Sequence, residues 1–158
     1  MANPSPAPSA QLLNFPNMGA IIKIETNLAY LTTLSFPNVK NQVSIENPNT
    51  WVEMELTPET ASFVESCKPV SQGLIYNSLA EWQSPNVNQD NFQKANQFIG
   101  KGVVVKFTTS TGIKFIVGER GNWASIFLVK TVPKEVAGFN GYKFTIKYPN
   151  SHPVYFVA

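Results

Sequence analysis

The chain has 158 residues, 43% of them hydrophobic, which suits one domain able to bury a core of its own. Only 14% are charged, against roughly one quarter in ordinary soluble domains, and the net charge is +2. One Cys, one His, one Asp and one Arg leave no material for a disulfide framework, a Cys/His zinc site or an Asp-rich calcium cage.

Charge is unevenly spread. Residues 102–158 hold six Lys and Arg120 against Glu119 and Glu135, whereas residues 1–101 hold five Lys against seven Glu and Asp90. The split is either surface scatter or a device that orients head-to-tail subunit contacts. Cys67 fits a reducing compartment, and the N-terminus lacks a basic region followed by an apolar run. No stretch approaches the roughly 18 apolar residues of a membrane span. A soluble product made in a cytoplasm is expected, with no membrane partner.

Residues 1–10, MANPSPAPSA, carry Pro4, Pro6 and Pro8, which deny helix to themselves and to the residues before them. Such a stretch is either a disordered tail or an extended arm laid on a neighbour. We take residues 1–15 as an arm anchored by Leu12, Leu13 and Phe15, and residues 16–158 as a single β-rich domain. Residues 20–25 and 28–36 read as strands, and residues 42–46 and 51–56 as shorter ones. In WVEMEL (51–56), Trp51, Glu53 and Glu55 oppose Val52, Met54 and Leu56, the alternation of a half-buried strand.

Residues 57–67 start either a helix, capped by Thr57 with Pro58 in its first turn, or a strand that pairs with residues 73–82 across a loop containing Pro69. The strand is preferred. Residues 84–89 read as a polar loop and residues 90–99 as the one short helix, with Asp90 as cap and Phe92, Ala95, Phe98 and Ile99 at helical spacing. GVVVKFTTSTGIKFIVG (102–118) is the strongest local signal: two β-branched and aromatic runs reverse at Ser110, Thr111 and Gly112. A loop follows at residues 119–122, then a strand over 123–132 and a loop over 133–138. Tyr142, Phe144, Ile146 and Tyr148 share one face of a strand that opens after Asn140 and Gly141, opposite Lys143, Thr145 and Lys147. Residues 152–157 close the chain as a final edge strand. The sum is a mainly β domain, a sandwich or distorted barrel of about eight strands with one short helix.

Catalytic chemistry finds few residues. A thiol nucleophile needs Cys67 beside His152, and a Ser/His/Asp site needs His152 beside Asp90 with no Ser in an elbow. Glu53 and Glu55 share a strand face, which is more simply a solvated surface. No catalytic, cofactor-binding or metal-binding residue is assigned. Lys106, Lys114, Lys143 and Lys147 on outward faces are a weak basis for nucleic-acid binding, because the aromatics alternate away from them. Trp51, Trp82 and Trp123 would serve a glycan-binding module only if they formed an exposed platform.

The order GLIY (73–76), short helix, 102–118 hairpin, NGYKF (140–144) and HPVYF (152–156) resembles small proteins of Bacteroidota bacteriophages and prophages that occur among virion, particularly tail, components. The likeness covers about residues 50–158. It implies a non-enzymatic structural subunit located in the virion, without cofactor, that works by self-association and by docking to other virion proteins. The arm residues Pro4, Pro6, Pro8, Leu12, Leu13 and Phe15 are the expected docking contacts. Glu119, Arg120, Asn122 and Trp123 are candidate loop contacts. A carbohydrate-binding or other ligand-binding β module is the alternative.

Overall fold

The computed structural model describes residues 19–36, 42–46, 50–85, 89–134, 138 and 140–157. The proposed arm, with Pro4, Pro6, Pro8, Leu12, Leu13 and Phe15, lies outside the described residues. In chain order the elements are β1 Ile21–Leu28, β2 Leu34–Ser35, β3 Gln42–Ile45, β4 Val52–Met54, β5 Ser62–Val70, β6 Gly73–Pro85, α1 Gln89–Asn96, β7 Val103–Thr109, β8 Lys114–Val117, β9 Ile126–Thr131, β10 Gly141–Asn150 and β11 Tyr155–Val157.

The chain is mainly β, as its sequence predicts. One sheet has the order β2-β3-β11-β8-β7-β1-β4 and the other β5-β6-β10-β9. Inward residues of both sheets share one core, to which α1 and the turn after it add Ala95 and Phe98. An aromatic column joins the layers: Trp82 stacks on Phe144 at 5.2 Å and meets Phe107 edge-on at 5.9 Å. Phe107 stacks on Phe115 at 5.2 Å, and Phe63 closes the column 4.7 Å from Phe115. The seven-stranded sheet also curls. Val104 and Ile116 on its other face pack with Val43 and Leu34 from one flank and Trp51 from the other.

The hairpin forms as its residues dictate. Val105, Phe107, Phe115 and Val117 point into the core, and Gly112 takes φ +87° at the reversal. Thr109 N–H donates to the Ile113 carbonyl at 2.9 Å to close the turn. The alternation in β10 holds throughout, with Tyr142, Phe144, Ile146 and Tyr148 buried.

Four expectations change. The run from Leu28 breaks into a 3₁₀ turn, Ala29–Leu31, because Thr32 Oγ1 donates to the Leu28 carbonyl at 2.9 Å while accepting from Asn27 Nδ2 at 3.0 Å. The preferred strand does pair with β6, but it starts at Ser62 rather than Thr57, because residues 57–60 form a turn closed by Thr60 Oγ1 donating to the Thr57 carbonyl at 2.6 Å. Pro69 lies inside β5, where the strand is an outer one of its sheet and needs no N–H there. β11 is internal, not an edge, for it runs parallel to β3 and antiparallel to β8.

Trp82 Nε1 and the Tyr142 hydroxyl are buried without a hydrogen-bond partner among the described residues. Removing an unsatisfied buried hydroxyl recovers its desolvation cost, so Tyr142→Phe is expected to leave stability unchanged or to raise it by about 1 kcal/mol. Phe144→Ala, which opens a cavity beside Trp82, is expected to cost about 3–5 kcal/mol. Urea denaturation of both variants checks the pair, and a destabilised Tyr142→Phe would show that the hydroxyl has a partner.

Candidate functional site

Glu119 and Asn122 exchange backbone hydrogen bonds at 3.1 and 3.2 Å, so Arg120 and Gly121 form the tip of a tight turn. The turn is clamped from β10. Tyr148 Oη donates to the Asn122 carbonyl at 2.7 Å, and Asn122 Nδ2 donates to Asn150 Oδ1 at 3.3 Å. His152 sits beside it, with Nε2 3.7 Å from Glu119 Oε1 and 3.1 Å from the Tyr155 hydroxyl, and Nδ1 3.1 Å from the Pro153 carbonyl. Burial, then the Glu119 carboxylate, pushes the Tyr148 hydroxyl far above its ordinary pKa. The same two causes raise Tyr155. This network positions the loop.

Trp123 follows directly and stands 57% exposed. Its indole lies against Gly102, where a Cβ would come within 2.7 Å of Cδ1 and Cδ2. The ring is therefore held flat on bare backbone with area left open to solvent. It borders a pocket of about 310 Å³ with Tyr30, Ala29 and Arg120. Arg120 and Glu119 also border a second pocket of about 320 Å³, with Thr32, Thr33 and Phe36. The structure thus gathers the loop candidates Glu119, Arg120 and Trp123 on one face, with Asn122 bonded to β10 behind them. Sequence reasoning missed Tyr30, which is 65% exposed; its place in an apolar run, LAYL, suggested a strand rather than a turn.

The residues required for thiol chemistry are not in contact. Cys67 is exposed on β5, and it hydrogen-bonds Tyr76, holding that hydroxyl above its ordinary pKa. The side-chain contacts of His152 are Asn150, Tyr155 and Glu119. Among the described residues no group of three or more His, Cys, Asp or Glu is placed to hold a metal ion. The three tryptophans form no common platform: Trp82 is in the core, and Trp51 lies under the Lys106 ammonium at 5.3 Å. Lys106 pairs with Glu25 at 3.2 Å inside the curl of the sheet, so it is not a surface cation. No helix among the described residues is long and apolar enough to cross a membrane.

A second surface lies on the four-stranded sheet, whose outer strands β5 and β9 have no further strand beside them among the described residues. Its outward face carries Val64, Leu79, Phe127 and Val129, the last two 59% and 58% exposed. In the sequence the signal is the run Ile126-Phe-Leu-Val129, apolar on both faces of its strand where a solvated strand would alternate. No family model, curated protein or solved structure matches this chain.

Two outcomes are expected. A tyrosine with a raised pKa is protonated in the folded chain after the unfolded chain has lost its proton, so stability is whole below the ordinary value of 10.0 and falls as pH rises above it. Tyr148→Phe is expected to flatten that alkaline fall in thermal melts while losing about 1 kcal/mol at neutral pH with its hydrogen bond; an unchanged alkaline slope would contradict the assignment. Gly102→Ala is expected to displace the Trp123 indole and shift its fluorescence, and an unaltered spectrum would show that the ring does not rest on residue 102.

Proposed function

We propose that this chain is a non-enzymatic structural subunit of a multi-subunit assembly, acting by self-association and by docking to neighbouring proteins. One observation carries the reading: the four-stranded sheet ends on two outer strands flanked by exposed large apolar side chains. An open edge strand offers a row of unpaired backbone groups to another chain, and proteins that stay monomeric usually blunt such edges with charge or cover them. On β9 the outward residues Phe127 and Val129 are apolar, with Val132 exposed just beyond. The finer reading, a bacteriophage virion protein of the tail, rests on the resemblance of residues 50–158. Within it the arm of residues 1–15 reaches onto a neighbour and adds contact area in every repeated copy.

A second reading, a ligand-binding module, is favoured by the indole of Trp123 fixed on Gly102 beside Tyr30 and Arg120. Aromatic faces stack on sugar rings, and Arg supplies hydrogen bonds to their substituents. A glycan screen with Trp123→Ala as control tests it.

Light scattering across a concentration series tests the first reading. Rings, tubes or concentration-dependent oligomers are expected, and a monodisperse monomer throughout would contradict self-association. Deleting residues 2–15 is expected to leave a folded body that assembles poorly; unchanged assembly would remove the arm from the mechanism.

A further inference from the structure

We propose that copies of this chain join head to tail, β9 of one against β5 of the next, so that the four-stranded sheet runs on across the seam. The proposal rests on the assembly reading above and names its partner as a second copy of the chain.

Strand direction is the first support. β5, β6, β10 and β9 are antiparallel in succession, so β9 runs opposite to β5. A following copy in the same orientation therefore presents β5 antiparallel to β9, and the alternation continues unbroken. Backbone polarity is the second. Val70 and Gly73 flank a two-residue turn and form a hydrogen-bonded pair, so alternate residues of β5 turn their backbone groups to β6. Phe63, Glu65 and Cys67 then aim theirs at the open side. Pro69 has the same parity and no N–H, which ends the usable edge short of the turn. On β9 the parity is marked by Ala124, which exchanges hydrogen bonds at 2.9 Å with Val103, on the side away from β10. Ile126, Leu128 and Lys130 share that parity and aim their backbone groups outward.

Charge selects the partner edge. Glu65 on β5 and Lys130 on β9 have the parity that brings them face to face across an antiparallel seam. Within one copy the Glu65 carboxylate already accepts from Val154 N–H at 2.9 Å and the Lys130 ammonium lies 5.5 Å over the Phe92 ring, so the seam pair adds to those contacts. A two-fold contact of β9 with itself would gather like charges, since Lys130 is the one charged residue of that strand, whereas β9 against β5 brings Lys130 to Glu65. Placing Glu65 opposite Lys130 puts Cys67 opposite Leu128. In the same register the outward face sets Val129 opposite Ser66 and diagonal to Val64, and Phe127 opposite Lys68, whose methylene stem can cover the ring. The interface is heterologous, and repetition closes a ring or extends a tube.

The native thiol supplies the test, because Cys67 is the only cysteine of the chain. Leu128→Cys protein, brought to a concentration at which scattering shows assemblies and then mildly oxidised, is expected to give a ladder of covalent multimers beyond the dimer on a non-reducing gel. Val129→Cys, whose side chain points to the opposite face, is expected to give none. Lys130→Glu is expected to raise the concentration needed for assembly by about tenfold or more, and Glu65→Lys in the same chain to restore it. Assembled Leu128→Cys particles without the ladder would overturn the seam alone, as would wild-type protein that oxidises to a Cys67-linked dimer. Wild-type protein that stays monomeric would overturn the seam together with the assembly reading.

Discussion

Everything in the fold leans on β7, a strand buried on both faces. Val103, Val105 and Phe107 face the four-stranded sheet, while Val104 and Lys106 face the inside of the curl. Burying both faces of one strand removes more apolar surface than a flat sheet over solvent could, and it requires the flanking strands to wrap. The wrap explains how β11, the last strand, comes to lie inside the sheet between β3 and β8. It also explains how a lysine survives there. Lys106 has a carboxylate 3.2 Å away and an indole face at 5.3 Å, the two kinds of partner that offset the loss of water around an ammonium group.

The two sheets differ in how they end. The curled sheet wraps its second face around a further cluster of Val43, Val104, Ile116 and Ala29. The four-stranded sheet buries only its inner face, against the aromatic column, and leaves the outer face and both outer strands without cover among the described residues. That asymmetry bears on the proposed function: the curled sheet buries both faces around β7 and β8 within one copy, whereas the four-stranded sheet leaves large apolar side chains exposed on its outer face. The loop face around Arg120 is a separate device, held in shape by Tyr148, Asn150 and His152 rather than by the core.

Local signals were legible in the sequence where side-chain period and turn chemistry agree. The 103–117 hairpin and the alternation of β10 stand where the residues put them, and the helix signal at 90–99 marks α1, which starts at Gln89 and passes into a turn after Asn96. Long-range pairing was not legible. Nothing in HPVYFV distinguishes an edge strand from an inner one, because the difference lies in β3, more than a hundred residues earlier. Pro69 misled as a loop marker because a proline on an outer strand costs no sheet hydrogen bond. The side chain of Thr32, which breaks the run after Leu28, acts through a hydrogen bond that hydrophobic period does not report. Of the candidate site, Glu119, Arg120, Asn122 and Trp123 were readable as a turn; Tyr30 and the His152 network were brought to it only by the tertiary fold.

The measurement that bears most directly on sheet continuation is amide hydrogen exchange of the full chain in dilute and in concentrated solution. Backbone amides of Glu65, Cys67, Leu128 and Lys130 face the open edges, so they are expected to exchange freely in the dilute protein and to become protected together as it assembles. Protection that already exists in the dilute monomer, or assembly that leaves these amides exchanging freely, would contradict the account.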